Sequence, residues 1–535
     1  MKNKILLDCT FRDGGYYNKW NFDLDLFHEY LKSMSLCKVD IVEIGFRFNI
    51  KNEYLGPFAF TTEDFLNKIL LPNNLKYATM INAKEFYGQE KQINKIFVKK
   101  SKSKIDIVRI AINFNEYKNS FKIIQILKKL GYEVGLNLMQ SHDKTQENLL
   151  DTINDIKKWN LNIDYLYFAD SLGCMDSKYV EFITTILKDN WHGKFGIHAH
   201  NNKSMALSNT LHSLKSGAVI CDSTILGMGR GAGNAQTEFL LQELKGPLKN
   251  SQLISINKII NKFNILKTQY GWGYNFLYFY AANNKIHPTY IQTFLGEKRY
   301  TEVQILHLLQ HLSKNDLLSF SQSKINEIFY ESYSELTNIK KANLNKIKGN
   351  NALIIGNGTS VLKNLDKIKK LLKKKEYTSI FLNKNQYIQN KELADLTVVV
   401  NNFRLLSDLN ELCTDNLNLI APINKFKKKF NIKFKNKNIK NYPVCIKKQT
   451  FVANEKYTIL PSDLAINYAL SICKILKFKK IFLIGIDGYQ DIEKNNEIIN
   501  SIKLFKNNYE DIDIYLPQDS FIKNKKLKYI NDIFL

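Results

Sequence analysis

The sequence predicts an α/β protein: an N-terminal (β/α)8 TIM barrel with a helical extension, followed by a C-terminal Rossmann-like open α/β domain. Three observations carry the prediction. Eight β-like runs alternate with helix-period runs before residue 245. Their unusual polar residues fall at or just past the C-terminal ends of the runs. A second strand–helix alternation starts at Ala352, beyond a polar, basic stretch at 340–350.

The barrel strands are expected at 5–9, 40–45, 76–81, 106–112, 133–138, 165–169, 194–200 and 219–225. Each is a short apolar, β-branched run. Between them, 24–34, 117–130, 145–159, 180–188 and 204–216 repeat apolar residues at helical spacing. Eight such units are the count of a closed barrel. Arg12, Asp13, Glu43, Asp170, His198, His200 and the 227–234 glycine run would all lie at its C-terminal mouth, where barrel active sites sit. Residues 248–345 are mostly helical in period. Their aromatic stretch from Tyr270 to Tyr280 reads as core or as a contact between copies of the chain, so a homo-oligomer is expected. In the last domain, strands are expected from 352 and at 379–382, 396–400, 417–420, 480–485 and 512–516, with a helix at 462–477. The domain bounds are therefore 1–247, 248–345 and 351–535.

A length of 535 residues with 44% hydrophobic content allows several packed cores. The net charge of +26 comes mainly from Lys spread along the chain, with no nucleic-acid recognition motif, so no nucleic-acid partner is expected. The basic, aromatic-interleaved run at 425–440 reads as a solvated surface. Seven scattered cysteines without CxxC spacing fit buried thiols in a reducing compartment. No signal-peptide pattern and no apolar run near 18 residues occur, so a cytoplasmic location without a membrane partner is expected.

Residues i and i+2 of a strand face one side, so His198 and His200 form a pincer. Asp13 adds a carboxylate. Two imidazoles and a carboxylate with positions left over make a catalytic rather than a structural metal site. Arg12, beside the carboxylate, suits developing negative charge on a substrate oxygen. Glu43 pairs with Arg12 or Arg47, or serves the chemistry. Asp170 and Ser171 line a site or cap a helix. The turn Gly356-Asn357-Gly358 is either plain or a cradle for a nucleotide phosphate.

Five motifs occur in order: Arg12-Asp13-Gly14-Gly15, Val42-Glu43-Ile44-Gly45, Ala169-Asp170-Ser171-x-Gly173, His198-Ala199-His200-Asn201-Asn202, and Gly227-x-Gly229-x-Gly231-x-Gly233-Asn234. Together they resemble the metal-dependent aldolases and acyltransferases of the HMG-CoA lyase-like superfamily, in the 4-hydroxy-2-oxovalerate aldolase branch. The likeness runs from Ile5 to about Glu238, with a weaker tail to about Gln292. It implies carbon–carbon lyase chemistry on a 2-oxo acid such as pyruvate, with an aldehyde as the second small molecule. It implies a divalent metal, Mn2+ first, with Mg2+, Co2+ or Zn2+ as alternatives. Asp13, His198, His200 and, as in some relatives, Asn234 would be ligands. Arg12 would stabilise the enolate oxygen, and Glu43 would orient the Arg12 side chain or the metal-bound water. Asp170 and Ser171 would line the substrate site. Where the aldolase branch carries a histidine as acid/base, this chain has Tyr16, which becomes the candidate for that role. The rival reaction is acyl-CoA-dependent Claisen condensation. The C-terminal part faintly resembles bacterial sialyltransferases and motility-accessory proteins through Ile354–Ser360, Asn383–Asn385 and Gly485–Tyr489. It implies a nucleotide or nucleotide-sugar partner, and with it a bifunctional role in surface-glycan synthesis.

Overall fold

A computed structural model of the chain describes residues 3–49, 54–297, 300–312, 317–318, 320, 336, 342, 344, 349–388, 393–401, 404–405, 408, 417–424, 438–488, 492–517, 520, 522 and 527–530. Most of the expected linker at 340–350 and of the basic run at 425–440 lies outside them.

Eight parallel strands close into a barrel: β1 (Ile5–Asp8), β2 (Ile41–Phe46), β3 (Lys76–Asn82), β4 (Ile107–Asn113), β5 (Glu133–Met139), β6 (Tyr165–Asp170), β7 (Lys194–Ala199) and β8 (Ile220–Ser223). Closure comes from β1 against β8, with Leu7 opposite Asp222. Strands buried on both faces explain the continuous apolar runs in the sequence. Inward residues Leu7, Ile41, Ala78, Ile107, Tyr165 and Ile220 form an apolar plug. Outward residues such as Leu6, Val42, Val108, Val134, Leu166 and Ile197 join the core beneath the helices.

The helices follow their sequence signals. Helix Leu24–Leu36 starts where Asp23 accepts from the N–H groups of Asp25 and Leu26, and it buries Phe27, Tyr30, Leu31 and Met34 along one face. Helix Gln146–Lys158 opens with a Thr145/Asn148 capping box. Two strand ends differ from expectation. After β1 the chain curls into one helical turn, Thr10–Asp13. After β8 it turns at Ile225–Gly227, with Leu226 at φ 51°.

The extension continues the barrel's own core. Helix Asn250–Tyr270 contributes Ile256, Ile259 and Phe263 to it, and Trp272 donates its indole N–H to the Leu226 carbonyl at 3.0 Å. Helices Phe276–Asn283, Pro288–Glu297 and Glu302–Leu312 follow. In the aromatic stretch Trp272 and Tyr278 are buried, whereas Tyr274, Phe276 and Phe279 are exposed. The chain divides into two compact units: Met1–Tyr300 with Ser313–Phe320, and Thr301–Leu312 with Ser321–Leu535.

The second unit holds an open, all-parallel sheet of eight strands. They are β9 (Asn351–Ile355), β10 (Tyr377–Leu382), β11 (Leu396–Val398), β12 (Leu419–Ala421), β13 (Lys440–Asn441), β17 (Lys480–Ile484), β18 (Asp513–Pro517) and β19 (Lys528–Ile530). Their spatial order is β13-β12-β11-β10-β9-β17-β18-β19, so the chain runs outward from β9 on one side, returns to the centre and runs outward again on the other. The small sheet β14 (Val444–Ile446), β15 (Val452–Ala453) and β16 (Thr458–Leu460) interrupts that return, and the expected helix follows it as Ala465–Ile475. Six described cysteines are free thiols. Among the described residues no helix is long and apolar enough to cross a membrane.

Candidate metal centre

The helical turn after β1 is set by Asp8, whose carboxylate accepts from the Thr10 N–H at 2.8 Å and from the Tyr30 hydroxyl at 2.5 Å. Trp20 closes over the turn and donates its indole N–H to the Arg12 carbonyl at 2.8 Å. A Cβ on Gly15 would sit 2.0 Å from the Trp20 ring, so only glycine admits this contact. The turn aims Arg12 and Asp13 into the barrel mouth, both buried.

His198, on β7, brings Nε2 to 3.4 Å from Asp13 Oδ2. Its Nδ1 lies 2.8 Å from Asp222 Oδ2. His200 lies one residue past the strand, in a bridge to Asn234, with its ring centroid 5.0 Å from that of His198. The Asn234 amide donates to Asp13 Oδ2. The tight group is Asp13, His198 and Cys9, whose ligand atoms all lie within 4.8 Å of one another. His200 stands just outside it. Burial raises the Cys9 thiol well above its usual range and its Sγ is 3.4 Å from the Ser223 carbonyl, so Cys9 is a protonated thiol there.

The electrostatics suit a cation. Burial would raise the Asp13 carboxyl, but Arg12 at 2.9 Å and the two histidines hold it well below the carboxylate range. Burial, then repulsion from His198, keeps His200 neutral. Against burial, hydrogen bonds to Asp13 and Asp222 raise His198 above its usual range, so the two converging carboxylates favour its protonated form. His200 Nδ1 and Asn234 Oδ1 are buried without a hydrogen-bond partner, and Asp13 Oδ1 has only the Arg12 guanidinium beside it. Orphaned acceptors of this kind are costly unless an ion or water uses them. Asp13, His198, His200 and Asn234 thus fit a divalent ion that prefers mixed N/O ligands.

Two buried residues behind the ligands were not read from the sequence. Glu43 Oε2 accepts from Arg12 Nε at 2.8 Å and from Arg109 at 3.1 Å, and Arg109 reaches Asp222 at 2.5 Å. An unbroken line of charges, Arg12–Glu43–Arg109–Asp222–His198, therefore ties one side of the site to the other. Arg109 and Asp222 are single charges inside apolar strands, and that interruption was the available signal. Arg47 does not join them; it pairs with Glu63 at 2.9 Å.

Asp170 and Ser171 take backbone partners in nearby loops. The Asp170 oxygens accept from the Cys174 and Met175 N–H groups at 2.9 and 3.1 Å, and burial pushes its carboxyl up to about 6. Ser171 Oγ accepts from the Gln140 N–H at 3.0 Å. Both organise loops at the barrel mouth. Gly356-Asn357-Gly358 is likewise filled by protein. The N–H groups of Gly356 and Gly358 donate to the Ile484 and Gly485 carbonyls. The Asp487 carboxylate accepts from the Ser360 N–H at 2.8 Å, placing a negative charge where the phosphate was expected.

A cavity of about 800 Å³ opens on the same barrel mouth. Its wall includes Asn82, Asn113 and Gln140 at the ends of β3, β4 and β5, with Tyr16, Arg230 and His287. Tyr16 is partly exposed; its ring packs on Trp20 at 4.8 Å and beneath the Arg230 guanidinium at 4.8 Å. His287 comes from the extension and was not foreseen.

An HMGL-like family model matches residues 3–263. The barrel is an HMGL-like domain, of the aldolase-like branch. The chain is similar to the 4-hydroxy-2-oxovalerate aldolase of Carboxydothermus hydrogenoformans, 29% identical over 46% of this chain and 71% of that one. It is similar to the enzyme of that name from Pelotomaculum thermopropionicum, 27% identical over 45% and 69%. It is also similar to the oxaloacetate decarboxylase of Mycobacterium tuberculosis, 24% identical over 46% and 70%. The HMGL-like half makes this chain an enzyme of the lyase type.

Proposed function

We propose that the chain is a divalent-metal-dependent aldolase that makes or breaks the carbon–carbon bond beside the ketone of a 2-oxo acid, pyruvate in the simplest case. One observation carries this reading: a buried carboxylate–imidazole group lies directly against a buried guanidinium at the mouth of a barrel. The names of the similar aldolases point the same way. A bound divalent ion, Mn2+ first, supplies a Lewis acid for the substrate's ketone and carboxylate oxygens.

The chain's own residues do the rest. Arg12 meets the negative charge that develops on the ketone oxygen as the enolate forms. Glu43 and the Trp20-bound backbone hold it in place beforehand, so little reorganisation accompanies the reaction. Asp222 fixes His198 by taking its Nδ1 proton in a hydrogen bond, which directs Nε2 toward Asp13. The cavity gives the aldehyde room. On its wall, His287 Nδ1 accepts from the Thr289 N–H at 3.3 Å, so Nε2 carries the hydrogen. Burial and Arg230 hold this imidazole down at about 3, hence neutral. It serves as the hydrogen-bond donor to the aldehyde oxygen, and Tyr16 serves as the wall beneath Arg230.

The test is deuterium exchange into the pyruvate methyl group, followed by NMR with each metal restored in turn. Metal-dependent exchange that disappears in His198→Ala/His200→Ala supports the reading. Protein that binds metal yet exchanges no 2-oxo acid proton refutes it.

A further inference from the structure

The cavity has an unbalanced charge. Arg12, Arg47 and Arg109 are each ion-paired within the barrel unit. Arg230 makes no ion pair among the described residues. Its guanidinium lies over the Tyr16 ring, and its Nε is buried without a partner. Lys84, also on the wall, has no ion pair among the described residues either. The wall's single carboxylate, Glu116, accepts from the Tyr87 hydroxyl at 2.9 Å. His287 offers a further N–H, because its other nitrogen is an acceptor. Arg230, with its Nε buried and unpartnered, faces this cleft together with the exposed Lys84 at its rim and the neutral donor His287, a set that suits an anionic group on the ligand.

That anion has two sources: the carboxylate of the 2-oxo acid, or a charged group on its partner. Asp13, Arg12 and His198 do not line this cavity. It adjoins that group instead, through Tyr16 and Arg230, the latter close enough to His200 to act on its charge. Its volume of about 800 Å³ is in the range that takes a whole drug-sized ligand, far more than a three-carbon acid.

We propose that the acceptor is an aldehyde bearing a carboxylate or a phosphate, and that Arg230 with Lys84 binds that group. The inference rests on the aldolase reading above. The anion takes no part in bond making. The bond forms between the pyruvate methyl carbon and the aldehyde carbon, one proton leaves the methyl group, and one proton ends on the new hydroxyl.

The experiment uses the full-length, metal-loaded protein with pyruvate and matched aldehydes. Butanal is set against succinic semialdehyde, and glyceraldehyde against glyceraldehyde 3-phosphate. At least one anionic member should exceed its neutral partner about thirtyfold in kcat/KM, the worth of a charge-assisted hydrogen bond pair. The arm that responds tells carboxylate from phosphate. Arg230→Gln should cut that ratio about tenfold, and Lys84→Gln provides an independent variant should the first fold poorly. Equal or better turnover of the neutral aldehydes overturns the inference while pyruvate exchange leaves the aldolase reading standing. So does an Arg230→Gln variant that raises only the KM for pyruvate, because Arg230 would then hold the 2-oxo acid itself. Absence of pyruvate exchange in the wild-type protein would overturn both.

Discussion

Arg12 is held by three neighbours at once: Asp13, Glu43 and the indole that grips its carbonyl. Arg12→Ala would take one buried cationic partner from each of Glu43 and Asp13, leaving Arg109 on the first and His198 with Asn234 on the second, and breaking a buried pair costs about 3–5 kcal/mol of stability. Arg12→Lys is the better test. It keeps the charge and loses the fork that reaches Glu43 and the substrate oxygen together. Pyruvate exchange should fall about 10²–10³-fold with unchanged circular dichroism, as for loss of one oxyanion donor. On the cavity wall, His287→Leu, which removes the N–H donor, should lower aldol turnover about 10²-fold. Tyr16→Phe keeps the ring beneath Arg230 and should stay near wild type in the same assay. Glu238 yields a prediction about stability. It is buried, it accepts from the Leu226 N–H at 3.1 Å, and burial pushes its carboxyl from 4.5 up to about 7; nearby Asp8 adds to the rise and Lys267 opposes it. Because the folded value is raised, the folded state holds its proton longer than the unfolded chain does. Stability therefore falls as pH climbs from about 4.5 to about 7 and is level above that, a loss of about 3 kcal/mol. Glu238→Gln retains the acceptor and removes the titration. Its barrel should melt higher than wild type at pH 8 and alike at pH 4.5.

Among the elements, the arch from Gly227 to Asn234 matters most to the site, because it delivers both Asn234 and Arg230. Gly233 has φ +81°, and a Cβ there would lie 1.9 Å from the Gly227 carbonyl oxygen. Its own carbonyl accepts from the Asn201 N–H at 2.8 Å, which locks the arch to the loop carrying His200. Gly233→Ala should force that loop apart and weaken Mn2+ binding measured by titration, together with roughly 1–2 kcal/mol of left-handed backbone strain. The same scale shows what was legible in the sequence. The eight strands were, because runs apolar on both faces have few alternative readings. His198 and His200 were, through period-two spacing at a strand end. Arg12 and Asp13 were placed correctly near the mouth, although they project from a helical turn that only Asp8 and Trp20 make intelligible. Arg109 and Asp222 were not, because a charge inside an apolar strand does not announce which partner across the barrel neutralises it. His287 was not, since it lies far along the chain and only the folding of the extension onto the barrel mouth reveals it. Asp170 illustrates the converse: a polar residue at the right strand end whose oxygens are taken by its own loop.

Across the whole molecule, every candidate ligand belongs to the first compact unit, and the open parallel sheet of the second contributes none among the described residues. The buried cluster within the first unit contains Arg12 and Arg109 against Asp13, Glu43 and Asp222. It carries one negative charge in excess, which favours a proton on His198 when no cation is bound. Cation binding displaces any proton held there, because a metal ligand imidazole is neutral. Two consequences follow for the full-length protein. Titrating metal-free protein with Mn2+ in weakly buffered solution should release protons. The barrel's melting transition should also rise, by about 2.7 kcal/mol of stability at a hundredfold excess over Kd, since the unfolded chain lacks the site. Any separate transition of the second unit should stay where it was. Calorimetry with and without Mn2+, on the wild type and on His198→Ala/His200→Ala, checks this. A metal-dependent shift that persists in the double variant would move the ion away from these histidines, and with it the chemistry assigned to Arg12.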